Sequence, residues 1–371
     1  MAVTGKDLIK VMEEWAPRSL AVDKDRIGLQ VGDPQAEVKG VMLALDVTEE
    51  VVDEAIEKGA NWIVAHHAVI FRPLTDLRTD RPAGRLYRKI LKHDLQVYVA
   101  HTNLDAAPDG VNDVLCDQLG LKERQVLLPT RSSRLQKLVV FIPKDHHEEV
   151  LRGLARAGAG WIGNYSHCTF NLDGTGTFLP EDGTQPYIGK QGELARVGEV
   201  RLETVITEEI REDVLEALFA VHPYEEPAYD LYPLDLPGAV EGIGRIGKLP
   251  QPMSLKELAH QLTKAYRISG LRMVGDGEGL VSTVAVLGGS GGRYYPEAIK
   301  GGADVYITGD LDHHTALDAA AEGLSLLDPG HHVEHLVLEK VREKLTKSTS
   351  LTGVPVFVTQ VNTDPFQYIV G

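Results

Sequence analysis

Cysteine is nearly absent from this chain: its 371 residues include only Cys116 and Cys168, far apart and in no Cys-x-x-Cys pair. That excludes a disulfide framework and a thiolate zinc site, and it suits a reducing compartment. Long apolar runs are missing as well. No stretch of eighteen apolar residues occurs, so no membrane-spanning helix is expected. Lys6, Asp7 and Lys10 interrupt the first fifteen residues, where a signal peptide needs an unbroken apolar core, and the expected address is the cytoplasm. Basic residues are in deficit, 38 against 54 acidic ones, for a net charge of −16. Such a surface repels phosphate backbones, which makes nucleic acid an unexpected partner and leaves divalent cations open. Hydrophobic residues at 43% and charged residues at 25% exclude a disordered or fibrous chain. At about 150 residues per domain the length predicts two to three domains.

Strand and helix signals alternate in the first part of the chain. Residues 41–45, 61–65 and 96–100 are short apolar runs fit for buried strands, and residues 49–58 and 85–92 have helical spacing. That alternation predicts parallel βαβ units. The last part repeats it, with strands over 281–287, 305–308 and 324–327 and helices over 296–300, 315–321 and 331–345. Residues 54–65, EAIEKGANWIVA, align without gaps on residues 297–308, EAIKGGADVYIT. The chain therefore reads as two related α/β halves, 1–130 and 238–371. Between them, residues 131–237 are bounded by turn-rich segments and give the order strand, helix, strand, strand, helix, strand. That is the βαββαβ order of an inserted ferredoxin-like domain. Such a unit leaves one sheet face without a helix cover, and a neighbouring copy is its natural cover.

In parallel α/β sheets ligands bind just past the carboxyl ends of the strands. His66 and His67 follow one predicted strand, and His101 to Asp105 follow the next. Asp310, Asp312, His313 and His314 follow a third, and Asp328, His331, His332, Glu334 and His335 a fourth. Four strand ends out of four carry histidine with carboxylates. His146-His147, beside Glu148 and Glu149 at a helix start, reads instead as a solvated pair. Successive side chains on an extended segment point opposite ways, so His66 and His67 suit two neighbouring ions better than one. His331 and Glu334, one helical turn apart, can converge, a glutamate there could bridge two metals, and Asp105 adds an oxygen. Three histidines and two carboxylates without thiolate suit zinc, iron, manganese, cobalt or nickel in a dinuclear site. A Gly-rich segment over 288–292, with Gly289, Ser290 and Gly291 at its centre, reads as a strand-to-helix turn able to cradle an anion.

At these residues the chain resembles the Nif-three-like family, whose members are also called GTP cyclohydrolase 1 type 2 homologues. The resemblance rests on IGLQVGDP (27–34), AHHAVIF (65–71), AHTNLDAAPDGVND (100–113), YITGDLDHH (306–314), LDPGHHVEH (327–335) and NTDPF (362–366). The insert is similar to the PII-like and CutA-like unit of the long-form members, through GNYSHCTF (163–170), GTGTF (174–178) and HPYEEPAYD (222–230). The family often has Asp-Asn where this chain has Asp25-Arg26, and some members carry the bridging glutamate at the position that is His335 here. The resemblance implies two divalent cations per subunit on His66, His67, Asp105, His331 and Glu334. It also implies a toroidal homohexamer with trimerising inserts, and a hydrolase acting on a nucleotide such as GTP. His101, His313 or His314 would then serve as acid or base, Gly289–Gly291 would hold phosphates, and Asp310 or Asp312 would read guanine. The alternative is a non-catalytic metal-binding scaffold or sensor regulated through its insert.

Overall fold

The computed structural model describes residues 2–367 and residue 369. It contains two compact units, residues 1–131 with 241–371, and residues 132–240. The long strands Lys122–Pro143 and Tyr229–Ser254 carry the chain from one unit to the other. The Pro- and Ser-rich stretches at 129–133 and 236–238, expected as turns, are therefore extended. Proline's fixed φ is compatible with an extended chain wherever its missing N–H is not needed.

In the first unit, Val41–Ala44, Trp62–Ala65 and Gln96–Val99 are buried at every position, as parallel strands covered on both faces must be. They pair in parallel with one another and with Val356–Val358, while Gly28–Val31 closes the sheet antiparallel to Gln96–Val99. The later half builds its own parallel set from Leu280–Ser290, Val305–Gly309 and Ser325–Asp328. Residues 245–254 and Arg272–Val274 flank it antiparallel. Alternate side chains divide between two cores. Met42, Ile63, Val97 and Val99 pack under helices Glu49–Glu57 and Pro82–Lys92. Leu43, Trp62, Val64 and Tyr98 share the larger core with Val284, Val286, Ile307 and Leu327 of the other half.

The two aligned segments are the same device in the fold, a helix, a glycine turn and a buried strand. Gly59 and Gly302 hold φ of +68° and +77° at equivalent points, with no atom within 4 Å of where a Cβ would sit. Conformation, not space, requires glycine there.

Buried polar groups lock the halves together. Asn112, wholly buried, donates to the Asp105 carbonyl at 2.9 Å and accepts the Gly288 N–H at 2.9 Å. Arg245 forms a two-pronged pair with Asp113, Nε to Oδ1 at 3.0 Å and Nη2 to Oδ2 at 2.9 Å. Its remaining N–H groups reach the carbonyls of Gly242, Gly244, Ala106 and Ala107.

The second unit runs strand, helix His147–Arg156, strands Thr169–Phe178 and Ala195–Thr207, helix Arg211–Val221, strand. Leu138, Val140, Ile142, Leu202 and Ile206 face the helices and meet Val150, Leu154, Val214 and Leu218. The opposite face carries Phe170 and Leu172, which are 61% and 47% exposed.

Removing Asp113 would strand a buried guanidinium between the halves. Asp113→Ala is expected to cost roughly 3 kcal/mol, the usual penalty for orphaning one partner of a buried pair. Urea unfolding measures it, and an unchanged midpoint would show that the pair does not fasten the halves.

Candidate metal centre

The strand ends of the first unit converge. His66 and His67 follow Trp62–Ala65 in a bend of the chain, their N–H groups bonded to Ala44 O and Leu45 O. Asp105 sits on the short helix Thr102–Ala106, directly after Gln96–Val99. His331 and Glu334 follow Ser325–Asp328.

The expected α-helix over 331–345 is in fact a 3₁₀ segment, His331–Leu336, followed by the α-helix Val337–Lys347. This difference decides which side chain joins the cluster. At three residues per turn, positions i and i+3 eclipse, whereas i+4 swings away. Glu334 Oε2 accordingly lies 3.2 Å from His331 Nε2. His335 turns aside, giving its Nδ1 to His332 O at 2.7 Å and stacking on the His332 ring.

Each histidine is oriented by an oxygen at Nδ1. His66 Nδ1 is 2.9 Å from Ala100 O, His67 Nδ1 is 2.8 Å from Asp46 Oδ1, and His331 Nδ1 is 2.7 Å from Asp310 Oδ2. A carbonyl can only accept, so His66 Nδ1 carries the hydrogen, and the two carboxylates impose the same tautomer on His67 and His331. The three Nε2 atoms then aim at one place. His67 Nε2 stands 3.1 Å and His66 Nε2 3.6 Å from Glu334 Oε2, and His331 Nε2 is 3.3 Å from His67 Nε2. Lone pairs facing a carboxylate and one another at these distances require a proton or a cation among them. Among the described residues, His66 Nε2 and Asp105 Oδ1 are buried without any hydrogen-bond partner. Nitrogen and oxygen acceptors held by outer oxygens form the donor set of a borderline divalent ion, so the residues present fit a metal. Three overlapping groups could hold one: His66, Asp105 and Glu334; His67, His331 and Glu334; and His66, His67 and His101.

Glycines make the space. A Cβ on Gly289, at φ +65°, would lie 2.5 Å from Glu334 Oε1, and one on Gly309 would lie 2.9 Å from the His331 backbone nitrogen. The Gly-rich segment expected to cradle an anion, with Gly289, Ser290 and Gly291 at its centre, is therefore also a wall of this cluster. Its first three residues finish the strand Leu280–Ser290, and two of its N–H groups are already used, Gly288 by Asn112 and Gly291 by Thr308.

Charge and burial set the protonation. Burial alone would push His67 down, but Asp46 and Glu334 raise it to about 10. The hydrogen bond to Glu334 raises His331 to about 9 against the opposing effect of burial. Burial raises Asp105 to about 6, although His66 pulls it the other way. Glu334 is held well below the carboxylate range by His66, His331 and His67 despite complete burial.

Of the remaining site residues, His101 joins the group, its ring 5.2 Å from His66 and 5.7 Å from His67, with Nδ1 on Asp25 at 2.9 Å. His313 and His314 do not. They lie exposed at the start of helix His313–Ala321, ring against ring. Asp312 caps that helix and Asp310 holds His331, so neither carboxylate is free to read a base. His146 and His147 bond to Tyr187 and Asn171 in the second unit. Sequence reasoning missed Asp46, although it stands two residues past the strand Val41–Ala44, the same strand-end position that revealed the others.

A family model described as Duf34/NIF3 (NGG1p interacting factor 3) matches residues 3–365. A protein of Halalkalibacterium halodurans named GTP cyclohydrolase 1 type 2 homolog is 50% identical over 367 residues, covering 98% of this chain and 99% of its own. Its Bacillus subtilis namesake is 48% identical over 370 residues, covering 99% of each chain. A crystal structure of a Bacillus cereus protein related to NIF3 superposes with a TM-score of 0.91 at 45% identity, covering all of both chains.

Two outcomes are expected. His66→Ala, Asp105→Ala, His331→Ala and Gly289→Ala should each lower bound metal, whereas His146→Ala should not. Elemental analysis of the purified variants decides, and equal loss from His146→Ala would refute the strand-end assignment. The second concerns pH. His67 and His331 titrate above the ordinary histidine value, so folding without metal takes up protons. The stability they contribute is complete below about pH 6.5 and is lost as pH rises through 9 and 10. Thermal unfolding of chelator-treated protein should therefore fall from pH 7 to pH 10, and a flat profile would contradict it.

Proposed function

The chain belongs to the Duf34/NIF3 family, and from that premise we propose that it is a hydrolase using two divalent cations on a nucleotide-like substrate. The observation that carries this reading is the position of Glu334. Its Oε2 lies 3.1, 3.2 and 3.6 Å from the Nε2 atoms of His67, His331 and His66. One carboxylate thus belongs to two ligand groups, His67 with His331 and His66 with Asp105. Zinc, iron, manganese, cobalt or nickel each suit that set. Two such ions, when bound, supply Lewis acidity and a water made acidic enough to ionise near neutrality.

The chain's own residues complete the chemistry. His101, fixed through Nδ1 by Asp25, keeps its other ring nitrogen to accept or return a proton beside His66 and His67. Asp25 is anchored by the Thr102 N–H and hydroxyl, which with His101 hold it far below the usual carboxylate range in spite of partial burial. A cavity of about 600 Å³ borders His67 and His331 and is lined in part by Asp310, His332, Thr363 and Phe366. That is the size of a small-molecule site, and the exposed Phe366 ring offers a flat partner for a base. The name carried by the relatives, GTP cyclohydrolase 1 type 2 homolog, favours a purine nucleotide, with attack at the imidazole carbon of the ring.

The second unit supports the assembly part of the reading. Its element order is that of a ferredoxin-like, PII-like or CutA-like insert, and Phe170 and Leu172 stand on the face its helices leave bare. Packed on two other copies, that face would trimerise the inserts within a toroidal homohexamer. The same face favours the second reading, a metal-holding scaffold or sensor governed through the insert.

Metal content, mass by light scattering, and turnover of GTP and simple phosphate esters should be measured on one preparation. The hydrolase reading expects metal, a mass of six chains, and turnover that His101→Ala lowers by about 10²-fold without loss of metal. Full metal occupancy with no turnover of any nucleotide would favour the scaffold.

A further inference from the structure

Two motifs of the second unit, GTGTF at 174–178 and HPYEEPAYD at 222–230, have no part in the metal centre, yet they meet. Both line a cavity of about 420 Å³ within that unit, closed on the other side by the loop that carries Tyr187. We infer that this cavity is a binding site for a small organic ammonium ion, held by Glu199 inside a wall formed by Phe178, Tyr187 and Tyr224.

Glu199 is the centre of the site. It is 7% exposed, and its Oε1 accepts the Tyr224 hydroxyl at 2.8 Å. Burial and that hydrogen bond raise the Tyr224 phenol, which stays protonated and so remains a donor. Gly176 clears the way to the other oxygen: a Cβ there would lie 2.0 Å from Glu199 Oε2. The φ of Gly176 is not in the left-handed region, so space and not conformation demands glycine.

The walls are built, not incidental. His222 is buried; its Nε2 donates to Phe141 O at 3.1 Å and its Nδ1 accepts the Tyr224 N–H at 3.1 Å, which fixes the turn that presents Tyr224. The Tyr224 ring stands 5.8 Å from Phe178 and 6.4 Å from Tyr187. His146 anchors the Tyr187 hydroxyl at 2.8 Å.

The lining selects the ligand. Among the described residues it contains the carboxylates Glu199, Glu225 and Glu226 and no lysine or arginine, so anions are repelled. Glu225 is committed to the Gln185 N–H at 3.1 Å. A hard metal ion needs several oxygens around it, whereas only one buried carboxylate is present here and the rest of the lining is largely aromatic and aliphatic. Aromatic faces around one carboxylate are instead the environment that attracts an alkylammonium group, through ring quadrupoles and charge.

Choline is the probe, and 3,3-dimethylbutan-1-ol is its uncharged counterpart of the same shape. Calorimetric titration of the full-length protein should show choline bound at least about tenfold more tightly than the alcohol. Glu199→Gln should abolish that preference. Tyr187→Ala, at a half-exposed residue, should weaken choline about fivefold with unchanged circular dichroism. Equal affinity for the two probes, no choline binding at millimolar concentration, or a preference that survives both substitutions would overturn the assignment.

Discussion

A carboxylate buried to 3% exposure has to be neutralised, and among the described residues the ion-pair partners of Glu334 are histidines, with no lysine or arginine. An unpaired buried charge costs several kcal/mol. The first unit meets that cost with three imidazoles aimed at one oxygen and with the capacity to bring a cation among them. Much of the local architecture follows from this requirement. The 3₁₀ turn puts Glu334 over His331, the glycines at 288, 289 and 309 let the strands come close, and Asn112 ties the Asp105 carbonyl to the strand that ends beside Glu334.

The outer oxygens matter as much as the inner nitrogens. Ala100 O, Asp46 and Asp310 decide which ring nitrogen of each histidine faces inward. Asp310 does so from a left-handed backbone, φ +54°, a conformation that asparagine and aspartate tolerate better than most residues. Asp46 is itself held by the Thr363 hydroxyl at 2.6 Å, so the NTDPF segment near the end of the chain reaches back to orient His67. That segment was visible in the sequence as a family motif, but its physical task was not.

What was legible followed from periodicity. Short apolar runs alternating with helical spacing gave the βαβ order, and the rule that ligands lie beyond strand ends collected His66, His67, Asp105, His331 and Glu334, which the fold does bring together. What was not legible depended on distances between remote segments. A Gly-rich stretch reads alike whether it cradles a phosphate or makes way for a glutamate, and only the contact with Glu334 separates the two. His313 and His314 satisfied the same strand-end rule but lie outside the cluster, because the helix they begin turns them to solvent. The 3₁₀ segment was hidden because residues 331–336 carry helical composition, and the tighter winding is a tertiary effect.

The ligand groups are divided by chain order. His66, His67 and Asp105 belong to the first half, and His331 and Glu334 lie some 230 residues later, beyond the whole second unit. During synthesis at about 5–20 residues per second, the early ligands exist for roughly 10–50 s before the late ones leave the ribosome. Over that interval the nascent chain carries two histidines and an aspartate without Glu334, a set with less charge and fewer donors than the finished centre. Any ion selection by the full set would therefore wait until the halves close. A cation bound there would stabilise the closed arrangement by mass action, about 4 kcal/mol at a thousandfold excess over its dissociation constant. The order of the gene would thus make cation capture a late, self-sealing step of maturation.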